Sequence, residues 1–237
     1  MSSRTTRRAE PKEKNTMSAQ VNLFQLQDLD DRGKTRNLAD RDLGAMRAVA
    51  DWIGIFVTRP HPGLGRAGPV CPFVPRALEY GTLWLAAETS AGRNPADVAP
   101  LVCNYRDLLC SAQPREGEAA AYKAIVVVFS DLPVDHAGDW FANAQLQEFK
   151  RSSYAEQGVV IGEFYEGNDG SAIRNPDFKP FRAPAPFLLM RRAVISDWMF
   201  FLDNDDWFNL WARRFGEAAV ATIAERLRRT NWRHVES

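Results

Sequence analysis

The chain has 237 residues, of which 45% are hydrophobic and 25% are charged, a balance that is typical of an ordinary globular domain. Lys plus Arg equal Asp plus Glu at 30 each, so the net charge favours neither a nucleic-acid partner nor an anionic membrane. No apolar run approaches the ~20 residues that a membrane span requires. We therefore expect neither a nucleic-acid partner nor a membrane partner, and the sequence leaves the oligomeric state open.

The three cysteines bear on the compartment and on metal binding. Cys71, Cys103 and Cys110 cannot all pair within one chain, and no apolar leader opens the sequence, so we expect reduced thiols in a cytoplasmic protein. Cys103 and Cys110 are seven residues apart, which is the spacing of one helix face, and C-x-x-C is absent. This pattern argues against a zinc site.

Two regions differ in composition. Residues 1–20 are polar, carry five basic residues against two acidic ones, and are predicted to be a disordered basic tail. Residues 21–237 are predicted to form a single globular α/β domain. Helical periodicity predicts helices over 38–59, 72–81, from 94 to about 110, over 135–158, and from Asn204 onward. Predicted strands cover 82–87, 123–130, 159–165 and 185–195, and 197–202 either extends the last one or forms a fifth.

Strands that alternate with helices indicate one central sheet covered by helices. We predict an α/β (α+β) fold with a single mixed sheet of about four to five strands and a long C-terminal helix, for which Asn204 is the expected N-cap. The phosphate-binding glycine loops and the G-x-S-x-G nucleophile motif are absent. The common nucleotide-binding and hydrolase classes are therefore not indicated.

The stretch from 59 to 78, RPHPGLGRAGPVCPFVPRAL, concentrates reactive residue types in a passage from loop to helix. Cys71 falls at the start of the helix that Pro72 begins, where free N–H groups and the helix dipole stabilise a thiolate. This predicts Cys71 as a catalytic nucleophile with His61 as its base, and the alternative is a small apolar residue that caps a turn.

His61 and His136 are the two histidines of the predicted domain that lie away from the C-terminus. Two histidines do not predict zinc, but a haem iron needs only one protein ligand, so each is a candidate metal ligand. The alternatives are a loop histidine that hydrogen-bonds to the backbone and a surface residue in a first helical turn.

Charged residues near the predicted strands complete the candidates. Arg191 and Arg192 are adjacent on a strand and must point to opposite faces, so only one of them can face a pocket. An inward arginine, or Arg66 in the loop, is suited to a carboxylate of substrate or of a haem propionate. Glu163 follows a strand glycine and is a candidate catalytic base or cation binder, with a solvated carboxylate as the alternative.

Two resemblances add to these patterns. The runs HPGLGRAGPVCPFVPRALEYGTLWLA and PAPFLLMRRAVISDWMFFL resemble a bacterial family of unknown function with a CPF(V)PxAL motif, found near biosynthetic genes, over roughly residues 40–230. The order of elements is also similar to that of the YqcI/YcgG-type proteins, some of which are haem-dependent enzymes that hydroxylate nitrogen on amino or guanidino groups. The matching residues are Cys71, Pro72, Phe73, Ala77, Leu78, Gly81, Leu83, Gly162, Glu163 and Phe164.

The resemblance implies a small-molecule enzyme of specialised metabolism, a haem-dependent oxygenase acting on an amine or guanidine. His61 or His136 would hold the iron, Glu163 would bind the substrate cation, and an arginine (Arg66, Arg191 or Arg192) would meet the propionates. Two alternatives stay open: a thiol-dependent enzyme that uses Cys71, and a non-catalytic module that binds a metabolite or a partner protein.

Overall fold

The computed structural model, which describes residues 21–229, is built around one sheet of four strands. These are β1 (Leu83–Glu88), β2 (Ala124–Phe129), β3 (Val159–Phe164) and β4 (Phe187–Arg192). Their order across the sheet is β1-β2-β4-β3, with β1 parallel to β2 and with β4 antiparallel to both of its neighbours. Strands β1, β2 and β3 therefore run in the same direction, and they end together at what we call the carboxyl end of the sheet.

Helices cover both faces of this sheet. The α-helices of the described chain are α1 (Arg32–Thr35), α2 (Asp40–Trp52), α3 (Phe73–Glu79), α4 (Val98–Ser111), α5 (Glu118–Ala121), α6 (Ala137–Asn143), α7 (Gln147–Gln157), α8 (Asp205–Phe215) and α9 (Glu217–Arg229). A π-helical turn, Ile53–Val57, continues α2, and short 3-10 helices cover Leu26–Asp30, Pro62–Leu64, Pro95–Asp97 and Ile195–Phe200. None of the helices in residues 21–229 has the length and apolar character needed to span a membrane.

The core follows from the alternation of side chains along the strands. Ile125, Val127 and Phe129 of β2 pack on one face against α4 and α6, whereas Val126 and Val128 pack on the other face against α2 and α3. All six residues of β2 are buried because helices lie on both sides of it. A third apolar cluster joins α7, α8 and α9 through buried residues of each helix.

The predicted mixed α/β sheet flanked by helices is confirmed, and four strands are present in residues 21–229. Residues 197–202 do not form a strand: Ile195–Phe200 is a 3-10 helix, stabilised where the Val194 N–H donates to the Asp197 carboxylate at 2.9 Å. The C-terminal helical region is present, and Asn204 caps it by accepting from the Trp207 N–H at 3.1 Å. It bends at Gly216, whose φ of 52° separates α8 from α9. The predicted tail at 1–20 lies outside the described residues.

Candidate functional site

A cleft of about 370 Å³ opens at the carboxyl end of the sheet, between the start of α6 and the turn that follows β3. We call it the acidic cleft, and its lining residues are Val134, Asp135, Gly138, Asp139, Tyr165, Glu166 and Gly167. In α/β sheets, ligands bind outside the carboxyl ends of the strands, since loops from several strands converge there. The position of the cleft follows this rule.

The charged residues of the acidic cleft are carboxylates. Asp135 precedes α6, Asp139 lies in the first turn of α6, and Glu166 follows β3; all three are exposed. Asp135 lies 3.8 Å from Nε2 of His136. Within residues 21–229, Asp139 and Glu166 form no ion pair, and the cleft lining contains no lysine or arginine. The residues that line the cleft therefore carry net negative charge.

Tyr165 forms an aromatic wall of the cleft. Its ring lies against Gly138, where an added Cβ would be 3.3 Å from a ring carbon, so a larger residue would press on the ring. The ring centroid of Tyr165 lies 5.9 Å from that of Phe141. Burial raises the pKa of Tyr165, and the carboxylates of Glu163, Asp169 and Asp139 raise it further. The phenol therefore stays protonated at neutral pH and lies in a negative electrostatic field.

Glu163 meets a cation from within the chain. Its carboxylate forms an ion pair with the ammonium of Lys150 on α7, and both side chains are largely buried, with 20% and 11% exposed. The backbone carbonyl of Glu163 accepts from the Asn168 side chain at 3.0 Å, which fixes the turn beside the cleft. The carboxylate predicted to bind a substrate cation thus already has Lys150 as its partner.

Two other carboxylates position the loops at this end of the sheet. Glu88 of β1 accepts from the Tyr105 hydroxyl at 2.9 Å and from Arg93 at 3.1 Å. Asp131, which follows β2, accepts from the backbone N–H groups of Ser90 and Ala91 at 2.7 Å each. The loops after β1 and β2 are therefore held to each other and to α4.

His61 lies away from the acidic cleft, in the loop after α2. Its Nδ1 accepts from the Gly63 N–H at 3.0 Å, and its ring stacks on Phe178 with the centroids 4.4 Å apart. The Asn175 side chain donates to the Gly63 carbonyl at 2.9 Å and joins the same loop to the segment after β3. His61 therefore orders two loops against each other.

Neither histidine fits the role of a haem ligand. A histidine that ligates a metal normally donates its second ring N–H to an acceptor, whereas in His61 that second nitrogen accepts a hydrogen bond from the backbone. The His136 side chain is 72% exposed on the surface at the start of α6.

Arg66 and Arg192 donate to carbonyl groups of the chain itself. Arg66 donates to the carbonyls of Ala67 and Val70 at 3.0 Å each, which closes its own loop. Arg192 faces α4 and α7, where it donates to the Gln157 carbonyl at 2.7 Å and contacts the Cys110 sulfur at 3.7 Å. Both guanidinium groups stabilise the backbone, and neither lines the acidic cleft.

Arg191 points to the opposite face, as adjacent strand residues must. It forms a two-pronged ion pair with Asp197, with N–O distances of 2.7 and 3.1 Å, and it lies over the ring of Phe73. Burial alone would lower the pKa of Arg191, but the Asp197 carboxylate outweighs burial and raises it.

Cys71 lies near the Arg191 guanidinium and packs into the same apolar cluster as Phe73. Within the described residues, no hydrogen bond joins Cys71 to His61, its predicted base.

The structure thus brings Cys71 near Arg191, and none of the predicted site residues lines the acidic cleft. The residues of the acidic cleft were not among the predicted site residues. Their signal in the sequence is positional, because Asp135 comes soon after β2 and Glu166 soon after β3. Recognising it requires knowing that these two strands run in the same direction, although β4 separates them in the sheet.

Residues 46–226 match the model of a family described as "Domain of unknown function (DUF6875)". This range contains the whole sheet, the acidic cleft and the Cys71-Pro72-Phe73 motif. No curated protein and no solved structure matches the chain. The prediction that the chain belongs to a family of unknown function, over roughly 40–230, is therefore confirmed. The bacterial origin, the CPF(V)PxAL motif and the similarity to YqcI/YcgG-type proteins stay predictions.

Proposed function

The chain belongs to the DUF6875 family of unknown function, and we propose that it binds a small organic cation, an amine or a guanidinium, in the acidic cleft. The observation that carries this proposal is the lining itself, in which Asp135, Asp139 and Glu166 are the charged residues and all are anionic. A small metabolite is the proposed partner. The cytoplasm is the proposed compartment, since Cys71, Cys103 and Cys110 are all free thiols.

The chemistry of the lining suits such a ligand. Carboxylates accept charge-assisted hydrogen bonds from ammonium groups, and they accept two parallel bonds from a guanidinium. The ring of Tyr165 offers an aromatic surface on which a cation is attracted to the π electrons. The cleft volume of about 370 Å³ lies at the small end of the range for ligand pockets, which favours a ligand of few heavy atoms.

This ligand class is the one that the resemblance to YqcI/YcgG-type proteins implies for the substrate. Hydroxylation of the bound nitrogen would require an oxidant, and His61 and His136 do not fit as ligands of a haem iron. We therefore propose binding of the cation without a chemical step. This corresponds to the non-catalytic, metabolite-binding module that the sequence leaves open as an alternative. Oxygenase activity stays a prediction.

Isothermal titration with n-butylguanidinium and its neutral isostere n-butylurea tests the proposal, because the two ligands differ mainly in charge. We expect saturable binding of n-butylguanidinium and at least tenfold weaker binding of n-butylurea. The affinity for the cation falls as ionic strength rises, since salt screens exposed charges. Equal affinities for the two ligands, or no saturable binding of the cation, overturns the proposal.

Neutral variants locate the site. Asp139→Asn and Glu166→Gln each remove one charge with little change of shape, and each is expected to weaken n-butylguanidinium binding by about threefold to tenfold. Glu156→Gln is the matched control, because Glu156 is exposed on α7 outside the cleft. Binding that survives both cleft variants unchanged places the cation elsewhere and contradicts the assignment.

A further inference from the structure

The outer side of α9 carries an apolar stripe. Val220 is 72% exposed and Leu227 is 57% exposed, although both are large hydrophobic residues. Ala224 lies between them, and a spacing of four and then three residues places all three on one side of a helix. Ala219 and Ile223 lie on the adjacent side of the helix and pack into the cluster around Trp211. The apolar surface of α9 therefore extends from the side that packs on the protein to a neighbouring flank that faces solvent.

Two charged residues flank this exposed stripe. Glu217 in the first turn and Arg228 in the last turn are eleven residues apart, close to three full helical turns, so they lie along the same flank. Neither forms an ion pair within residues 21–229. The exposed side of α9 therefore has a negative end and a positive end, with apolar residues between them.

We propose that this side of α9 pairs with α9 of a second copy of the chain, in antiparallel orientation. Reversing one helix places Glu217 of each copy beside Arg228 of the other, which gives two equivalent ion pairs, and it places Val220 against Leu227. Ala224 lies near the twofold axis, where its small side chain lets the helices approach. A parallel pair would instead bring Glu217 beside Glu217 and Arg228 beside Arg228, which disfavours that orientation.

The size of this surface sets the expected strength of the dimer. Helix α9 has 13 residues and is about 20 Å long, so the contact is smaller than that of a typical stable complex. A twofold-symmetric contact of this kind closes on itself and produces dimers rather than fibres. We therefore expect a reversible monomer–dimer equilibrium that depends on protein concentration and weakens at high salt.

Sedimentation velocity of the full chain over a concentration series tests the inference through charge reversal. Glu217→Arg and Arg228→Glu each place like charges together and are expected to weaken dimerisation by about tenfold or more. The combined variant Glu217→Arg/Arg228→Glu restores opposite charges across the interface and should recover most of the lost affinity. The combined variant carries the unfavourable helix-end charges of both single variants. A recovery of dimer affinity therefore shows that the single variants act at the interface and not through helix stability.

The control exchanges charges on the far side of the same helix. Glu225 and Arg229 form an ion pair there, so Glu225→Arg/Arg229→Glu keeps that pair and should leave dimerisation unchanged. Far-UV circular dichroism checks that every variant keeps its helices. A wild-type chain that stays monomeric throughout the series overturns the proposal, as does a combined variant that dimerises no better than the single ones.

Discussion

Asp131 shows how a single carboxylate organises the carboxyl end of the sheet. Burial would raise its pKa, but hydrogen bonds from Ser90, Thr89 and Ala91 outweigh burial and lower the pKa to about 2. The Thr89 hydroxyl donates to it at 2.6 Å, beside the two backbone N–H donors. Because these donors favour the ionised form, folding and ionisation of Asp131 support each other.

This coupling predicts the pH dependence of the Asp131→Asn variant. The folded pKa lies below the unfolded value of about 4, so the stabilisation is complete above that pH and is lost as pH falls through about 2. We expect a loss on the order of 1 kcal/mol at neutral pH, allowing for solvent screening at this partly exposed group. Urea unfolding should show the difference from wild type shrinking between about pH 5 and pH 2.

The variant Glu156→Gln serves as the reference for this measurement, because its carboxylate is exposed. It should unfold like the wild type at each pH. A difference between Asp131→Asn and wild type that stays constant with pH would show that lost packing, and not lost charge, causes the effect.

Individual residue types were easier to identify from the sequence than their partners. The sequence identifies Glu163 as a carboxylate on a strand, but its partner Lys150 lies on the preceding helix, and nothing local to either residue indicates the pair. His61 was recognised as a loop histidine, and its bond to the Gly63 N–H matches the backbone-bonding alternative. Its stacking on Phe178 depends on a contact between loops more than 100 residues apart, which local sequence does not specify.

At the scale of elements, periodicity identified the strands and helices but not the bends between them. The apolar stripe from Phe208 to Leu227 continues through Gly216, so the pattern predicted one helix where the structure has two. A left-handed backbone such as that of Gly216 changes the direction of the chain without altering the spacing of apolar residues. In the same way, the predicted helix over 135–158 is divided near Gln145, whose φ is 50°.

The cap of α8 gives a prediction at this scale. Asn204→Ala removes the acceptor of the Trp207 N–H and is expected to lower the free energy of unfolding by about 1 kcal/mol, within a range of about 0.5–2. Asn204→Asp keeps an acceptor and should retain the stability. Urea unfolding measures both variants.

The control for the cap is Asn209→Ala, because Asn209 is exposed inside the same helix. Alanine has the higher helix propensity, so this change should be neutral or slightly stabilising. If both substitutions to alanine shift stability in the same direction, the capping bond is not the cause.

At the scale of the whole molecule, the acidic cleft depends on strand order. Its two sides come from 134–139 and 165–167, and they meet because β2 and β3 run in the same direction with β4 between them. The sequence predicted a mixed sheet but not this order, since periodicity describes each strand separately. The fold class was therefore predictable from local pattern, whereas the candidate site was not.

The buried pair of Arg191 and Asp197 joins the sheet to the C-terminal helices. Arg191 belongs to β4, Asp197 lies in the 3-10 helix that leads toward α8, and their side chains are 12% and 2% exposed. The Trp211 side chain of α8 donates to the Ile195 carbonyl of that 3-10 helix at 2.9 Å, so the connection continues into the C-terminal cluster. Removing one partner leaves a buried charge without compensation, which costs far more than removing an exposed pair.

We therefore expect Asp197→Ala to lower the free energy of unfolding by about 3–5 kcal/mol, measured by urea denaturation. A loss of that size approaches the total stability of many domains, so the double variant Arg191→Met/Asp197→Leu provides a second measurement. It removes both charges and should be more stable than Asp197→Ala, because no unpaired charge stays buried.

The matched control is Asp169→Ala, which breaks the exposed pair with Arg182 at 3.1 Å and should lower the free energy of unfolding by less than about 1 kcal/mol. If Asp197→Ala costs no more than Asp169→Ala, or if the double variant is no more stable than Asp197→Ala, the pair does not join the two parts of the molecule as inferred.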